Sequence, residues 1–293
     1  MIAFNIFLQK VHSIISWPSF KPWGHLWLLI FLPYTPIFAK QDNQTVDSTE
    51  KPVDKTVTQV QNAPYPNHQL IQQTIAKNIK DQDVIWITQG AKKYLSLYHQ
   101  DEIGQRKGLL LIIPDNRQRI TESESLNRLA LDAAKSGWST VMLSLQLGSG
   151  LSKEDAQKKQ NALFSATINQ YSKDNSGDWY LLLQGNNTNL IKHPQLNKFK
   201  GVILVNLLPI KKSPLSQKII SNHLKVFELL SQNIEDTEPF LFKQRKNRLK
   251  SSDISYRQII INGADLNFSH LGSSLTRMIT AWLNHQSKEN KSQ

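Results

Sequence analysis

The stretch Trp179-Tyr-Leu-Leu-Leu-Gln-Gly-Asn-Asn-Thr-Asn-Leu-Ile191 contains the clearest fold signal in the chain. Its apolar run ends in Gln-Gly, which is typical of a buried strand that leads into a tight turn. In one widespread α/β architecture this turn carries Gly-x-Ser-x-Gly, with the serine as nucleophile. The same register places Asn187 at the serine and Asn189 at the second glycine. Because an amide is not a nucleophile, the usual chemistry of such a turn cannot run here.

Strand-like and helix-like segments alternate on both sides of this stretch. Two short runs at 84–88 and 94–98 flank a glycine-containing connection and predict a hairpin. Further strands are predicted at 109–113, 138–145, 180–184, 201–207, 224–230 and 256–261, and helices at 66–80, 122–135, 153–171, 214–222, 237–250 and 270–285. This order predicts an α/β fold, namely a mostly parallel sheet with helices on both faces and an N-terminal antiparallel hairpin. Sites in such sheets lie at the carboxyl ends of the strands.

The N-terminal region has the pattern of an exported protein. Residues 1–39 contain no acidic residue and end in an apolar run that Ala39 closes, as in a secretory leader. The run is shorter than the ~20 residues of a spanning helix, and two prolines interrupt it. We expect a periplasmic protein cleaved near Ala39, or alternatively one held by an inner-membrane anchor. We predict a disordered polar linker at 40–65, a folded domain at 66–287 and a disordered tail at 288–293.

Composition limits the chemistry that the chain can perform. The 293 residues are 39% hydrophobic, enough for a substantial core, and the absence of cysteine excludes disulfides, thiolate metal sites and a thiol nucleophile. The net charge of +12 favours acidic partners. The positive charges are closest together in a predicted helix, which carries Lys243, Arg245, Lys246, Arg248 and Lys250. For an exported protein we expect anionic envelope lipids or glycans as partners rather than nucleic acid, with an ordinary solvated helix face as the alternative.

Several segments together suggest a family. They are Val84-Ile-Trp-Ile-Thr with Tyr94-Leu-x-Leu-Tyr98, Lys107-Gly-Leu-Leu-Leu-Ile-Ile113, Gly137-Trp-Ser-Thr-Val-Met-Leu-Ser-Leu-Gln-Leu147 and Tyr256-Arg-Gln-Ile-Ile-Ile-Asn-Gly-Ala-Asp-Leu-Asn-Phe268. They resemble an uncharacterised family of exported α/β-hydrolase-like proteins of Gram-negative bacteria, known as a domain of unknown function. The resemblance covers about residues 66–286 and implies an α/β-hydrolase-like fold. It implies no substrate.

In this fold the catalytic residues follow the order Ser, Asp or Glu, then His. Asn187 takes the position of the serine. When the loop after the last strand is matched to the same fold, Leu266 takes the position of the histidine, and leucine cannot accept or donate a proton. His270 lies four residues later, as a surface histidine or a displaced base. For the acid, the segment that begins with the strand predicted at 224–230 offers Glu228, Glu235 or Asp236, which mean little without serine and histidine.

These substitutions predict a catalytically inactive protein, a pseudoenzyme that acts as an envelope binding or scaffold protein. Its predicted ligand pocket is formed by Gly185, Asn186, Asn187, Thr188 and Arg117. The arginine lies in a loop without glycine, where the fold normally has the amides of an oxyanion hole.

The alternative is a hydrolase with an unconventional site around Asp115, Asn187 and Asp265. For Asp265 the simpler interpretation is a turn-forming aspartate. No metal and no cofactor are predicted, because the eight histidines are scattered and the sequence has neither a Walker loop nor Gly-x-Gly-x-x-Gly.

Overall fold

The computed structural model describes residues 68–80, 83–104, 106–147, 150–173, 177–210 and 213–291. The predicted leader and linker lie outside these ranges. None of the helices within them is long and apolar enough to cross a membrane.

Eight strands form a single sheet in the order β1-β2-β4-β3-β5-β6-β7-β8. They are β1 (Val84–Gln89), β2 (Lys92–His99), β3 (Gly108–Ile113), β4 (Trp138–Leu143), β5 (Asp178–Gln184), β6 (Gly201–Val205), β7 (Lys225–Ser231) and β8 (Tyr256–Ile261). Strand β2 pairs antiparallel with β1 and β4, and all other neighbours are parallel. The prediction of a mostly parallel sheet with an N-terminal antiparallel hairpin is confirmed.

Helices cover both faces of the sheet. They are α1 (His68–Lys77), α2 (Glu124–Lys135), α3 (Lys153–Ser172), α4 (Leu215–Ser221), α5 (Gln232–Glu235), α6 (Pro239–Lys250) and α7 (Gly272–Lys291). Residues of α1, α2 and α7 belong to the hydrophobic cluster on one face, whereas α3, α4 and α6 contribute to the cluster on the other.

The central strands are apolar throughout because both of their sides are buried. Every residue of β3, β4 and β6 is buried, and successive side chains of a strand point to opposite faces. In β5, Leu181 and Leu183 join the cluster under α3, while Tyr180 and Leu182 join the cluster under α2 and α7. Continuous apolar runs were therefore a sound basis for predicting these strands.

The chain after β5 departs from the usual strand-turn-helix arrangement. Two 3₁₀ turns, Asn187–Lys192 and Pro194–Lys198, follow the strand where a longer α-helix would normally begin. The sequence explains the difference, because asparagines favour turns over helix interiors and Pro194 has no amide hydrogen to continue a helix.

The C-terminus also differs from the prediction. Helix α7 continues to Lys291, into the tail that was predicted to be disordered. An ion pair fixes this last part of the helix to the sheet, since Lys225 Nζ lies 3.1 Å from Glu289 Oε2.

Candidate functional site

An open cleft lies at the carboxyl ends of the parallel strands, where this topology places its sites. Its volume is about 350 Å³. The lining residues come from the last residue of β5, from the segments after β3, β5, β6 and β8, and from α5: Asp115, Arg117, Gln118, Gln184, Gly185, Asn206, Leu208, Ile234, Leu266 and Asn267. Of the predicted pocket residues, Gly185 and Arg117 line the cleft, and Asn186, Asn187 and Thr188 do not.

Gly185 takes the left-handed backbone conformation directly after β5, with φ of 64°. In hydrolases of this architecture, the nucleophilic residue occupies the sharp, strained turn directly after the corresponding strand. A Cβ atom at Gly185 would lie 2.5 Å from Asp115 Cγ and even closer to Asp115 Oδ2. The carboxylate of Asp115 therefore fills the space into which a nucleophile side chain would project.

Asp115 is held in this position by Arg117. The carboxylate accepts hydrogen bonds from the Arg117 main-chain N–H at 2.9 Å and from its guanidinium at 3.0 and 2.9 Å. These side-chain hydrogen bonds, with the charge of the carboxylate, raise the pKa of Arg117. Asp115 is 5% exposed, whereas the side chain of Arg117 is 67% exposed. A buried carboxylate thus stands at the end of β5 with its charge compensated by a solvent-facing arginine.

Asn187, which the sequence alignment placed at the nucleophile, has a structural role. Its side chain is buried, and its Nδ2 donates to the carbonyls of Pro114 at 2.6 Å and Gln184 at 2.9 Å. The amide ties the loop after β3 to the end of β5. The strained position after the strand belongs to Gly185, two residues earlier than the motif spacing suggested. Thr188 is buried beside Asn187.

Leu266 lies in the cleft wall and is 51% exposed. Its carbonyl accepts a 2.9 Å hydrogen bond from Asn206 Nδ2. His270 is exposed in the 3₁₀ turn Ser269–Leu271 and is absent from the cleft lining. The loop after β8 therefore presents an apolar side chain to the cleft where a catalytic histidine would be expected.

Asp265 organises the same loop. Its Oδ1 accepts hydrogen bonds from the main-chain N–H of Asn267 at 3.1 Å and of Ser269 at 2.8 Å. Burial acts to raise the pKa of Asp265, but the hydrogen bonds from Ser269 and Asn267 and the nearby His270 outweigh it and lower the pKa. The side chain is on the exposed side of the turn and does not line the cleft.

Asn206 is a cleft residue that the sequence reasoning missed. It follows β6 with φ of 45°, a left-handed conformation that asparagine tolerates better than most residues. Its Oδ1 accepts a 2.7 Å hydrogen bond from the N–H of Ser231, and its Nδ2 reaches the loop after β8. Gln118, Gln184 and Asn267 were missed as well. A polar residue at the carboxyl end of an apolar strand, as at Gln184 and Asn206, was the available signal.

Glu228, considered above as a catalytic acid, belongs to a buried ion pair instead. It is fully buried in β7, and its Oε1 contacts Arg245 Nη2 on α6. Its Oε2 accepts hydrogen bonds from Tyr256 at 2.5 Å and Gln258 at 2.9 Å, while Arg245 Nη1 donates to the carbonyl of Leu207. Burial, with the charge and hydrogen bond of Glu228, raises the pKa of Tyr256.

The predicted basic patch must therefore be corrected, because Arg245 is 5% exposed and faces the sheet. Lys243, Arg248 and Lys250 are exposed and Lys246 is partly buried. These four residues are the cations that α6 presents outward.

A serine and a histidine do meet elsewhere, on α3 and at the start of the second 3₁₀ turn. Ser165 Oγ lies 2.8 Å from His193 Nε2, and His193 Nδ1 accepts a hydrogen bond from the N–H of Gln195 at 3.2 Å. A neutral ring that accepts at Nδ1 carries its proton on Nε2, so it donates to Ser165 and cannot act as the base that activates it. Burial lowers the pKa of His193. Neither residue lines the cleft.

Metal chemistry has no visible support in the part of the chain that the structure describes. Within it, no group of three or more histidine, aspartate or glutamate side chains is placed so that it could bind a metal ion.

Comparisons with known proteins agree with this architecture. The model of the family described as Protein of unknown function (DUF3530) matches residues 24–179. None of the curated proteins matches the sequence. Among solved structures the chain is similar to Est1E from Butyrivibrio proteoclasticus, with 11% identity and a TM-score of 0.56 over 70% of this chain and 98% of that one.

Two other solved structures give the same result. A dienelactone hydrolase from Anabaena variabilis has 10% identity and a TM-score of 0.52, over 69% of this chain and 96% of its own. An alpha-beta serine hydrolase homologue from Coxiella burnetii has 14% identity and a TM-score of 0.51, over 68% and 98%. Likeness at this level shows the fold alone, and the predicted α/β-hydrolase-like fold is confirmed.

Proposed function

Because the chain belongs to the family described as Protein of unknown function (DUF3530), whose description names no activity, we propose a function from the cleft itself. We propose that the protein is a non-catalytic binding protein of the cell envelope, built on the α/β-hydrolase-like fold. The observation that carries the proposal is that the carboxylate of Asp115 fills the space above Gly185.

The chemistry of the cleft supports this proposal. Acyl transfer in this fold needs a nucleophile after β5 and a histidine that accepts its proton. Gly185 has no side chain, and Leu266 cannot accept a proton. Asp115 receives three hydrogen bonds from Arg117, so both of its carboxylate oxygens are already engaged within the protein.

The alternative, a hydrolase built from Asp115, Asn187 and Asp265, has weaker support. Its residues would need to converge on a substrate. Asn187 directs its amide to two main-chain carbonyls, and Asp265 accepts two main-chain N–H groups on the exposed side of its turn. Only Asp115 of the three lines the cleft.

An esterase test separates the two functions. We expect the full chain to hydrolyse a broad panel of p-nitrophenyl esters, thioesters and amides no faster than its Asp115→Ala variant. Asp253→Ala is the matched control, since it removes an exposed carboxylate that belongs to neither proposed site and lies outside the cleft lining. Turnover by the wild type that Asp115→Ala abolishes and Asp253→Ala spares would replace the binding proposal with an enzyme.

The envelope location rests on the leader pattern of residues 1–39, which lies outside the described residues. We propose export with cleavage near Ala39. Fractionation of expressing bacteria, followed by N-terminal sequencing of the mature protein, tests this. A full-length N-terminus in the membrane fraction would favour the anchored alternative, and a cytoplasmic protein would refute export.

A second candidate function is attachment to an anionic surface through α6. Three exposed cations, Lys243, Arg248 and Lys250, lie on the same helix as Phe240, which is 72% exposed. Cations together with an exposed aromatic residue are typical of helices that lie at a lipid interface. The proposed partner is an anionic envelope lipid, with an anionic glycan as the alternative.

Vesicle sedimentation tests this second function. The full chain should sediment with phosphatidylglycerol vesicles at low salt, less at high salt, and not with phosphatidylcholine vesicles. Replacing Lys243, Arg248 and Lys250 by glutamine should abolish binding. The control replaces Lys153, Lys158 and Lys192, which are also exposed, so that the change in net charge is the same. Equal loss in both variants would show that net charge, rather than α6, is responsible.

A further inference from the structure

The floor of the cleft contains hydrogen-bond donors that the protein does not use. Gln184 lines the cleft and is 2% exposed. Its Oε1 accepts a hydrogen bond from the N–H of Asp115 at 3.3 Å, which fixes the orientation of the amide. Its Nε2 donates no hydrogen bond within the part of the chain that the structure describes. A buried amide with free donors stabilises a ligand that brings an oxygen to it.

Gln118 and Asn267 also line the cleft, and they offer a further donor. Gln118 Nε2 donates to Asn267 Oδ1 at 2.6 Å, which joins the loops after β3 and β8. The Oε1 of Gln118 is buried without a partner among the described residues. The Nδ2 of Asn267 likewise makes no hydrogen bond within the described ranges. The Gln118 oxygen has no surface open to the cleft, so a complementary ligand brings acceptors for the amide donors, as the oxygens of hydroxyl groups do.

The two charged side chains of the cleft lining have opposite signs and are paired with each other. Asp115 and Arg117 are the ionisable groups of its lining, and they are paired at 2.9 Å. An anionic ligand that approached Arg117 would meet the carboxylate of Asp115, and a cationic ligand would meet the guanidinium. The cleft therefore favours an uncharged ligand.

The remaining lining is apolar and comes from Leu208, Ile234 and Leu266. A ligand that fits combines hydroxyl groups on its edges with a C–H face for these side chains. The volume of about 350 Å³ lies at the small end of the usual range for ligand pockets, about 300–1,000 Å³.

From these observations we propose that the cleft binds a neutral sugar, with Gln184 as its main polar contact. The inference rests on the proposed binding function and assigns it a ligand class. Hydroxyl oxygens accept from the free donors of Gln184 and Asn267, and the sugar ring covers the apolar wall. Binding of an uncharged ligand should be insensitive to salt.

Saturation-transfer NMR and calorimetry on the full chain test the proposal. The neutral probes are maltose, cellobiose and N,N′-diacetylchitobiose, the charged probes are glucuronic acid and glucosamine, and triglycine represents a peptide. We expect at least one neutral sugar to bind, with an affinity unchanged by added salt. The Gln184→Met variant, similar in shape but without the amide, should bind about tenfold more weakly, which corresponds to about 1.4 kcal/mol.

The matched control is Gln244→Met, which makes the same substitution at an exposed residue of α6 and should leave binding unchanged. Equal loss in both variants, or binding of none of the neutral sugars, would overturn the sugar assignment. If a charged probe or triglycine binds instead and Gln184→Met weakens it without any turnover, the proposed binding function stands and the ligand class is wrong. Ester turnover that depends on Asp115 would refute the binding function itself.

Discussion

Substituting Gly185 by alanine tests whether Asp115 fills the space of a missing side chain. An L-residue in the left-handed conformation costs about 1–2 kcal/mol, and Gly185 has φ of 64°. The added Cβ would also overlap the Asp115 carboxylate and force it away from Arg117. Hydrogen bonds to charged groups contribute about 1.5–3 kcal/mol. The low end applies because Arg117 is 67% exposed. We expect Gly185→Ala to lower the free energy of unfolding by about 3 kcal/mol in total.

Gly90, in the β1–β2 hairpin, provides the matched control. It has φ of 60°, and a Cβ there would meet nothing within 4 Å. Gly90→Ala should therefore cost the backbone term alone, about 1–2 kcal/mol. Urea unfolding of the full chain, followed by circular dichroism, measures both values.

The double variant Asp115→Ala/Gly185→Ala completes the design. Without the carboxylate, alanine at 185 should cost less than it does in the wild type but still more than alanine at 90, because the Cβ of residue 115 would remain 2.8 Å from the added atom. If Gly185→Ala and Gly90→Ala are equally destabilising, or if Asp115→Ala brings no relief, the carboxylate does not occupy this space. The principal support for a non-catalytic cleft would then be lost.

Three further changes probe the surroundings of the cleft. Arg245→Met should destabilise the fold by about 3–5 kcal/mol, because Glu228 would stay buried and unpaired; thermal unfolding should show partial recovery with Glu228→Gln, and no recovery would contradict the pairing. Asn187→Ala should cost about 1–3 kcal/mol through the lost hydrogen bonds to two buried carbonyls, whereas Asn189→Ala in the same turn should change urea stability far less. Burial lowers the pKa of His193, so the unfolded chain binds more protons and stability should fall as the pH drops from about 6.5 towards the lowered pKa; His193→Gln should reduce this slope, and an unchanged slope would assign it to other groups.

The sheet could be predicted because each central strand has its own apolar run in the sequence, and the runs of several strands support the same fold. Leu109–Ile113 and its counterparts in the central strands are buried on both sides, so the apolar runs coincide closely with the strands. The helix predicted at 237–250 was also found, as α6. Its residues Phe242, Arg245 and Leu249 recur at helical spacing, and that period was enough to place Arg245 on the buried face. Counting its charge with the exposed residues led to the incorrect basic patch.

The cleft was harder to predict because its residues come from separate loops. Asn206, Asn267 and Gln118 are brought together by the sheet order, and no local pattern links them. The nucleophile position was assigned by motif spacing, which depends on knowing the residue at which β5 ends. Gln184 is polar yet still within the strand, so the left-handed residue is Gly185 itself.

The 3₁₀ turns that follow β5 bear on whether hydrolysis could be engineered into this chain. A full α-helix behind a nucleophile aligns its peptide dipoles, and its amino end favours the negative charge of an acyl-transfer intermediate. Here the first 3₁₀ turn ends at Lys192, and after His193 the second turn begins with Pro194. A serine at position 185 would consequently gain a hydroxyl without the electrostatic background that the reaction requires. For the proposed non-catalytic cleft, gaining acyl-transfer activity would therefore require a different backbone after β5 in addition to a serine side chain.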